Sequence, residues 1–389
     1  MNDPYSPSVA QRIRDLPRAG IRIIFDEAQK YPDAIHLEIG QPDFPTPAPI
    51  CDAAAAAMRA GETRYTPNPG TLALRADIAQ AVHRDHQVTI TPDEIVVTTG
   101  GMGALATGIE AILNPGDEIL LPDPGWPNYA MQVICAGGTP TYYDLDARQG
   151  YQPDPAQIAQ RITPRTRAIL VNSPSNPTGG ILTHPIVEEI LALAEKHNLL
   201  IISDEVYDRI VFDNTFTSFL RAENRDRVIY INSFSKTYAM TGWRIGYLIA
   251  PRAIASEVAK LQEVYCACAC SVSQAAARAA LRLPQSQVKE MVQRYDTRRT
   301  VLTSILTAGG VPHFQPRGTF FLMADISGTR LDSQDFALQL LHEQKVAVAP
   351  GQTFGRNARQ NIRLAFAVRD DLLATAGQRL VEFIAKHTH

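Results

Sequence analysis

The sequence lacks both the long apolar runs of a membrane protein and the charge excess of a nucleic-acid-binding protein. Within its 389 residues, no apolar stretch approaches the ~18 residues that a membrane-spanning helix requires. The net charge of −3 and the pI near 6.3 differ from the clustered basic charge that favours nucleic-acid binding. We therefore expect neither a membrane nor a nucleic acid among its partners.

Cysteine is scarce, and the first residues do not form a targeting signal. The five cysteines are an odd number in a long chain, and residues 1–7 do not combine a basic region with an apolar core. We therefore expect reduced thiols and a cytoplasmic location. Cys266, Cys268 and Cys270 form a C-x-C-x-C run. No histidine or second cysteine pair has zinc-ligand spacing, so no metal is expected there and the role of the run stays open.

The chain is long enough for two domains and has the composition of an ordinary globular enzyme. Its length exceeds the usual size of a single hydrophobic core. A hydrophobic content of 45% and a charged content of 20% are typical of globular proteins. His83 and His86 lie at a polar helix end, where we expect them to be solvated. From about residue 92, strands alternate with helices, which predicts an α/β fold with a largely parallel sheet.

The most informative stretch, residues 233–247, lies between two apolar runs that read as buried strands. It contains hydroxyl groups, one lysine (Lys236) and one arginine (Arg244). Partial burial and a nearby cation lower the pKa of an amine, which favours imine formation, and a guanidinium binds phosphate with two parallel N–H bonds. The residue types therefore suggest an amine nucleophile beside a phosphate. A solvated surface lysine is the competing interpretation, because most lysines are exposed.

The same stretch resembles a known family. Ser-x-Ser-Lys followed by Ala-Met-Thr-Gly-Trp-Arg-Ile-Gly-Tyr is similar to the cofactor-lysine signature of class I/II aminotransferases, fold-type I enzymes that use pyridoxal 5'-phosphate. The resemblance implies that Lys236 forms a Schiff base with this cofactor, while Ser233, Ser235 and Arg244 hold its phosphate. It also implies a large domain with a mostly parallel seven-stranded sheet and a smaller α+β domain.

The resemblance covers essentially the whole chain, with its motifs in family order from Gly40 to Arg363. It implies an N-terminal arm that belongs partly to the small domain (1–45), a large cofactor-binding domain (46–283) and a C-terminal small domain (284–389). It also implies a homodimer with shared active sites.

An acidic residue at a strand end points to the same cofactor. Asp204 ends an apolar strand, where a carboxylate needs a cationic partner or a full set of hydrogen bonds. A pyridinium N–H would satisfy it, and the paired anion would keep the ring protonated as an electron sink. Tyr207, three residues on, can donate to the phenolate oxygen of the ring. Asp204 and Lys236, at the ends of separate strands, can address opposite sides of one ring. Lys236, Asp204 and Tyr207 are thus the candidate catalytic residues.

A glycine-rich turn is a second candidate for phosphate binding. Gly101 and Met102 open a helix after a strand, where backbone N–H groups stabilise an anion. A packed strand-to-helix turn explains the glycines equally well. The turn lacks the Walker A lysine and the G-x-G-x-x-G spacing, which disfavours nucleotide binding. The family pattern assigns these two residues as backbone donors to the cofactor phosphate.

Three loop residues complete the candidate cofactor site. Trp126, among prolines, offers a flat stacking partner for a ring, although an aromatic that caps the core is the alternative. Asn176 offers a donor and an acceptor, and matches the family asparagine near the phenolic oxygen, although it is also an ordinary turn residue. By itself, Tyr65 in its loop of prolines and glycine would be interpreted as a residue that packs against the rest of the chain. The resemblance implies that its hydroxyl crosses the dimer interface to the partner's cofactor phosphate.

Two further residues are candidates for substrate binding, together with Trp126 and Asn176. Gly40 matches the family's substrate-side loop, where a residue without Cβ permits close approach of the backbone. Arg363 lies in an apolar strand, where an arginine is costly unless it meets an anion. An internal salt bridge is one possible partner. The resemblance implies the substrate α-carboxylate, whose geometry a guanidinium matches.

The predicted function is that of an aminotransferase. It would move an amino group from an L-amino acid to a 2-oxo acid through a pyridoxal phosphate/pyridoxamine phosphate cycle on Lys236. Aspartate, aromatic and small neutral amino acids all stay open, because no second arginine for a distal carboxylate can be located from the pattern. A β-lyase on the same scaffold is the alternative. A cofactor-binding regulator would need an added basic DNA-binding domain, and only about 45 residues precede the shared motifs.

Overall fold

The computed structural model describes residues 9–14, 16, 20–213, 216–221 and 225–388. The prediction for the N-terminal arm therefore falls partly outside the described residues. The strands are β1 (Ile35–His36), β2 (Ile95–Thr98), β3 (Glu118–Asp123), β4 (Thr139–Asp144), β5 (Thr166–Asn172), β6 (Leu200–Asp204), β7 (Val228–Ser233), β8 (Gly246–Ile249), β9 (Phe321–Asp325), β10 (Val346–Ala347), β11 (Ala349–Pro350) and β12 (Asn361–Ala365).

Within the described ranges, none of the helices is both long enough and apolar enough to cross a membrane. The helices are α1 (Gln11–Arg14), α2 (Gly20–Ala28), α3 (Ala48–Arg59), α4 (Leu72–His86), α5 (Gly100–Glu110), α6 (Asn128–Cys135), α7 (Pro155–Arg161), α8 (His184–Lys196), α9 (Phe234–Thr237), α10 (Arg252–Cys266), α11 (Ser271–Leu281), α12 (Gln285–Ala308), α13 (Ser333–Gln344) and α14 (Asp370–His387).

A seven-stranded sheet forms the centre of the molecule, in the order β2-β8-β7-β6-β5-β3-β4. Strand β8 runs antiparallel to β2 and β7, and the other neighbouring pairs are parallel. This arrangement confirms the predicted mostly parallel sheet. The reversal at β8 has a local cause, since β7 and β8 are separated by too few residues for the crossover that a parallel pair requires.

Both faces of this sheet are covered, which explains why its strands read as continuous apolar runs. In β5, Ile169 and Val171 pack into the core on one face, whereas Ala168 and Leu170 pack into the core on the other. Successive side chains of a strand point to opposite faces, so a strand buried on both sides needs apolar residues at every position.

The same strands end in polar residues at one edge of the sheet. Asn172, Asp204 and Ser233 are the last residues of β5, β6 and β7. Because these three strands are parallel, the three side chains gather at one edge. Ligands of open α/β sheets bind at the carboxyl ends of the strands.

A second core joins the N-terminal segment to the C-terminal part of the chain. Ile24 and Leu37 pack with Phe320, Leu364 and Phe383 in one buried cluster. Strand β1 pairs with β10, and β11, β12 and β9 form a small antiparallel sheet. This grouping agrees with an arm that joins a C-terminal domain, while the domain boundaries after residues 45 and 283 stay a prediction.

One local expectation needs correction. The expectation that His86 is solvated is wrong, since it is buried with its Nε2 3.5 Å from Asp208. Helix α4 continues to His86, which follows the buried Ile78 and Val82 at intervals of four residues and so lies on the same face.

Candidate active site

A cavity of about 500 Å³ opens at the carboxyl edge of the central sheet, between the two cores. Every predicted site residue except Tyr65 lines it. These residues are Gly40, Gly101, Met102, Trp126, Asn176, Asp204, Tyr207, Ser233, Ser235, Lys236, Arg244 and Arg363. Residues dispersed over more than three hundred positions of sequence thus surround one space.

Lys236 lies in α9, the single helical turn that follows β7. Its Nζ donates a hydrogen bond to the carbonyl oxygen of Gly40. Burial, and then the positive charges of Arg363 and Arg244, lower the pKa of the Lys236 amine to about 8, although Asp204 opposes this shift. Near neutral pH a usable fraction of the amine is therefore neutral and nucleophilic.

Asp204 is a buried carboxylate without a cationic partner. Its Oδ2 accepts a hydrogen bond of 2.6 Å from the hydroxyl of Tyr129, and its Oδ1 accepts one of 3.3 Å from the N–H of Val206. No basic side chain of the described residues forms an ion pair with it. Burial raises the pKa of Asp204 to about 6, although the Tyr129 bond acts in the opposite direction. A cationic N–H in the cavity would stabilise the ionised form.

Sequence reasoning missed Tyr129, which supports this carboxylate. It lies three residues after Trp126, and the two rings meet edge to face at 5.5 Å. A buried tyrosine hydroxyl usually finds a hydrogen-bond partner, and Asp204 supplies it here. The signal available in the sequence was the hydroxyl of Tyr129 itself, because a tyrosine among apolar helix residues needs a hydrogen-bond partner when it is buried.

The start of α5 and the loop after β7 together form a cradle for an anion. The first N–H groups of a helix have no partner within the helix, and Gly101 and Met102 in the first turn of α5 line this cavity. The Ser233 hydroxyl donates to the Ser235 hydroxyl at 2.9 Å. The Arg244 guanidinium donates to the carbonyl of Thr241 at 2.8 Å. This set of backbone N–H, hydroxyl and guanidinium donors suits a phosphate.

Two glycines make this cradle possible. A Cβ at Gly246 would lie 2.7 Å from the backbone N of Gly101, and a Cβ at Gly100 would lie 2.6 Å from the Arg244 guanidinium. Gly100 also has a positive φ of 76°, which favours glycine. The backbone of β8 can therefore approach the start of α5 closely, with Arg244 beside it.

Arg363 projects from β12 into the cavity and is buried. Its Nη1 donates to Asn176 Oδ1 at 2.9 Å, and its Nη2 donates to the carbonyl of Glu38. Its Nε is buried without a partner among the described residues. No carboxylate there forms the internal salt bridge considered above, and burial lowers the pKa of Arg363 to about 10. A ligand carboxylate would supply the missing acceptor.

Aromatic side chains form the remaining walls. The Tyr207 ring is buried against Phe320 and Phe321, with centroids 5.6 and 5.8 Å away. Lys236 Nζ lies 5.8 Å from the Tyr207 ring centroid. Burial raises the pKa of the Tyr207 hydroxyl, so it stays protonated and can donate. Trp126 is half-buried at the cavity, where its indole can contact a flat ring.

Tyr65 is the exception among the predicted residues, because it lies outside the cavity and is 88% exposed. Its expected contact with a partner subunit stays a prediction. The nearby Thr66 N–H donates to Cys268 Sγ at 3.4 Å. Among the described residues, no group of three or more His, Cys, Asp or Glu side chains is placed to hold a metal ion.

The cavity fits pyridoxal phosphate on three structural observations. The unpaired buried carboxylate of Asp204 would meet the ring N–H, and the glycine cradle beside Arg244 would take the phosphate. Lys236, with its lowered pKa, would reach the aldehyde carbon. The orphaned Nε of Arg363 is left for the carboxylate of a substrate.

Comparison with known proteins gives a consistent result. The sequence profile of the family "Aminotransferase class I and II" matches residues 32–380. The aspartate aminotransferase of Thermotoga maritima is 37% identical over 97% of this chain and 99% of that protein. The aromatic-amino-acid aminotransferase 2 of Thermococcus litoralis is 34% identical over 96% of this chain and 97% of that protein.

The fold also matches solved structures. The structure of the Thermus thermophilus aspartate aminotransferase with maleate superimposes with a TM-score of 0.93 at 32% sequence identity. The match covers 97% of this chain and 100% of that chain.

Proposed function

The chain belongs to the class I and II aminotransferase family, and from this premise we propose how its own residues carry out amino-group transfer. It is a pyridoxal-phosphate-dependent enzyme that moves an amino group from an amino acid to a 2-oxo acid. The β-lyase alternative is not favoured, because the similar proteins named above are aminotransferases.

Lys236 is the proposed catalytic base and acid. Bound pyridoxal phosphate supplies an aldehyde that condenses with amines and a ring that withdraws electrons from the substrate α-carbon. The Nζ of Lys236 would hold the aldehyde carbon of the bound cofactor in the absence of a substrate amine. With a substrate amine in that place, the Nζ would accept the proton of the substrate α-carbon and return it at the aldehyde carbon. A pKa near 8 suits both steps at neutral pH.

Asp204 and Tyr207 are proposed to set the electronic state of the ring. The ionised Asp204 carboxylate would accept a hydrogen bond from the ring N–H and keep that nitrogen protonated, while the hydrogen bond from Tyr129 orients the carboxylate. The protonated hydroxyl of Tyr207 would donate to the phenolic oxygen. Asn176 is proposed to lie near the same oxygen, and Trp126 would offer its indole as a stacking partner for the ring.

Arg244, Ser233, Ser235 and the backbone N–H groups of Gly101 and Met102 would hold the cofactor phosphate. These donors lie at or beside the ends of three short helical segments, so backbone groups as well as flexible side chains are available to the phosphate. Such donors are preorganised, and little entropy is lost when the anion binds.

Arg363 is proposed to bind the substrate α-carboxylate. Its orphaned Nε and the Nη2 now bound to the Glu38 carbonyl form one edge of the guanidinium fork. Asn176 fixes the other side through Nη1, so the fork is oriented before a substrate arrives. The carbonyl of Gly40, beside Lys236, borders the same position.

We further propose a cytoplasmic homodimer in which Tyr65 of each subunit reaches the cofactor phosphate of its partner. The exposed position of Tyr65 supports this assignment, since its hydroxyl has no role within its own cavity. Aspartate, aromatic and small neutral amino acids are the proposed substrates, as the names of the similar proteins suggest for aspartate and aromatic amino acids.

The convergence of Lys236, Asp204 and Arg363 on one cavity supports this function best. The test is an absorbance spectrum of the purified enzyme, recorded before and after addition of single amino acids without a 2-oxo acid. We expect conversion of the cofactor to pyridoxamine phosphate with one equivalent of 2-oxo acid released. Pyruvate and ammonia that accumulate while the original absorbance persists would establish the lyase instead. A protein that shows no cofactor absorbance even with added pyridoxal phosphate would refute the function.

A further inference from the structure

One cation of the cavity has no part in the reaction described above. Among the described residues that line the cavity, the basic side chains are Arg22, Lys236, Arg244 and Arg363. The last three are assigned to the proton transfer, the phosphate and the α-carboxylate. Arg22 has no assigned partner in the reaction.

Arg22 lies on α2, which forms one wall of the cavity. Ile21 and Phe25 of the same helix also line the cavity, and their spacing of four residues places them on one face. The Arg22 side chain is 72% exposed, and its Cζ lies 5.0 Å from the centroid of the Phe25 ring. A cation over an aromatic face is weakly attracted to it, so the guanidinium is held at the apolar wall.

The intramolecular partner of Arg22 is weak. Its Nε lies 3.1 Å from Oδ1 of Asp26, and the Asp26 side chain is 62% exposed. Ion pairs that are this exposed contribute little, because water screens both charges. The guanidinium forms no hydrogen bond within the described ranges of the chain. A carboxylate that enters the cavity can therefore compete for its N–H donors in a bidentate arrangement.

The assigned positions indicate where the substrate side chain lies. If Arg363 holds the α-carboxylate and Lys236 reaches the α-carbon, the side chain of the substrate meets lining residues without an assigned role, and these include Ile21, Arg22 and Phe25 of α2. Arg22 is the cation among these residues. The carboxylate of Glu38, which also lines the cavity, is buried, with its Oε1 2.7 Å from the His36 ring nitrogen and its Oε2 without a hydrogen-bond partner among the described residues.

We propose that Arg22 binds the second carboxylate of a dicarboxylic amino or oxo acid, which makes dicarboxylates the preferred substrate class of this site. The inference rests on the proposed function, because it presupposes that Arg363 holds the α-carboxylate. The apolar wall of Ile21 and Phe25 packs against the methylene groups between the two carboxylates. The remaining charge of the cavity thus matches the remaining charge of the substrate.

The test compares Arg22→Gln with the wild-type holoenzyme. Maleate, an unreactive dicarboxylate, is titrated by calorimetry, and kcat/KM is measured for aspartate, glutamate and leucine. Loss of a charge-assisted pair should weaken maleate binding and lower kcat/KM for both dicarboxylates by about tenfold or more. The value for leucine should change by less than about twofold, because leucine has no second carboxylate.

Two further variants separate charge recognition from a general structural role. Arg148→Gln removes an arginine that is 89% exposed, lies 2.7 Å from Asp146 and is outside the cavity. This control variant should leave the maleate affinity and all three kcat/KM values unchanged. Asp26→Asn removes the competitor of Arg22, so maleate should bind about two- to threefold more tightly. Damage to the fold would not strengthen binding in one variant and weaken it in the other.

Three results would overturn the inference. Arg22→Gln could bind maleate as tightly as the wild type, or lose leucine activity by the same factor as aspartate activity. A wild-type enzyme that transaminates leucine but neither binds maleate nor accepts aspartate would also overturn it, while the proposed function would stand. If no amino acid is transaminated, the proposed function fails, and the maleate titration still decides the role of Arg22.

Discussion

The Nζ atom of Lys236 and the carbonyl oxygen of Gly40 lie 2.5 Å apart, although 196 residues separate them in sequence. Lys236 follows β7 of the central sheet, whereas Gly40 follows β1, which pairs with β10 in the other core. The bond therefore connects the two cores at the cavity. Gly40 permits this approach, because a Cβ there would lie 2.7 Å from Phe321 Cζ.

This environment predicts how cofactor binding depends on pH. Burial and two arginines lower the pKa of Lys236 to about 8, and only the neutral amine attacks an aldehyde. The rate constant for pyridoxal phosphate binding to the cofactor-free chain should rise about tenfold per pH unit below the pKa and level off above it. Stopped-flow absorbance measures this rate. Lys236→Arg, which keeps the charge without a nucleophile, is the control, and a flat profile for the wild type would contradict the prediction.

Asp204→Asn should separate stability from activity. The folded-state pKa of Asp204 is raised to about 6, so between the ordinary carboxyl pKa and this value the folded chain binds the proton more tightly than the unfolded chain. The stability of the cofactor-free chain should therefore fall as the pH rises through this window. At pH 8, removal of the buried charge should raise the free energy of unfolding by on the order of 1–3 kcal/mol.

The same substitution should lower transaminase activity about 10²-fold or more, because Asn cannot keep the ring nitrogen protonated. Urea unfolding of the cofactor-free protein and steady-state kinetics of the holoenzyme measure the two effects. A variant that is both less stable and fully active would show that Asp204 has a purely structural role. Tyr129→Phe is a useful comparison, since it removes the bond to Asp204 Oδ2 and leaves the carboxylate in place.

Arg363→Lys should affect substrate affinity more than turnover. Lysine keeps the positive charge but cannot form the paired N–H bonds of the fork or keep the bond to Asn176 in the same geometry. We expect KM for the amino acid to rise about tenfold or more, with a smaller change in kcat. Steady-state kinetics over a range of amino acid concentrations measure both values. An unchanged KM would show that the α-carboxylate binds elsewhere.

The proposed role of Tyr65 in the partner's active site can be tested by mixing two variants, one with weakened cofactor binding and one without turnover. Tyr65→Phe should weaken cofactor binding, and Lys236→Ala should abolish turnover while leaving the fold intact. In a hybrid dimer of these variants, one active site would have the native Lys236 of one subunit and the native Tyr65 of the other. Refolding the variants together should therefore restore activity above that of either alone. Activity equal to the average of the separate variants would place Tyr65 outside the partner's site.

Much of the site could be predicted because its residues follow strands. Asp204 and Ser233 end apolar runs that are recognisable in the sequence, and parallel strands bring their ends to one edge. The family resemblance added Arg363 and Asn176, which the structure joins by a hydrogen bond of 2.9 Å. The proposed role of each residue rests on its chemical type together with its position.

Other features depended on contacts between distant segments. The burial of His86 against Asp208 could not be read from a polar helix end, because burial depends on what packs against that end. The position of Arg22 at the cavity could not be read from the sequence either, because it depends on where α2 packs. The hydrogen bond from Tyr129 to Asp204 spans 75 residues and joins two elements that the sequence reads separately.

The sequence by itself determined the mostly parallel sheet and the polar strand ends, because both depend on local patterns of apolar and polar residues, and its family resemblance pointed to Lys236 as the candidate cofactor lysine. Only the tertiary structure decided which charges are paired and which are left for ligands. Asp204, Arg363 and Arg22 differ in their surroundings rather than in their local sequence. The cost of an unpaired charge depends on burial and on neighbours brought together by folding, and these are properties of the packed molecule.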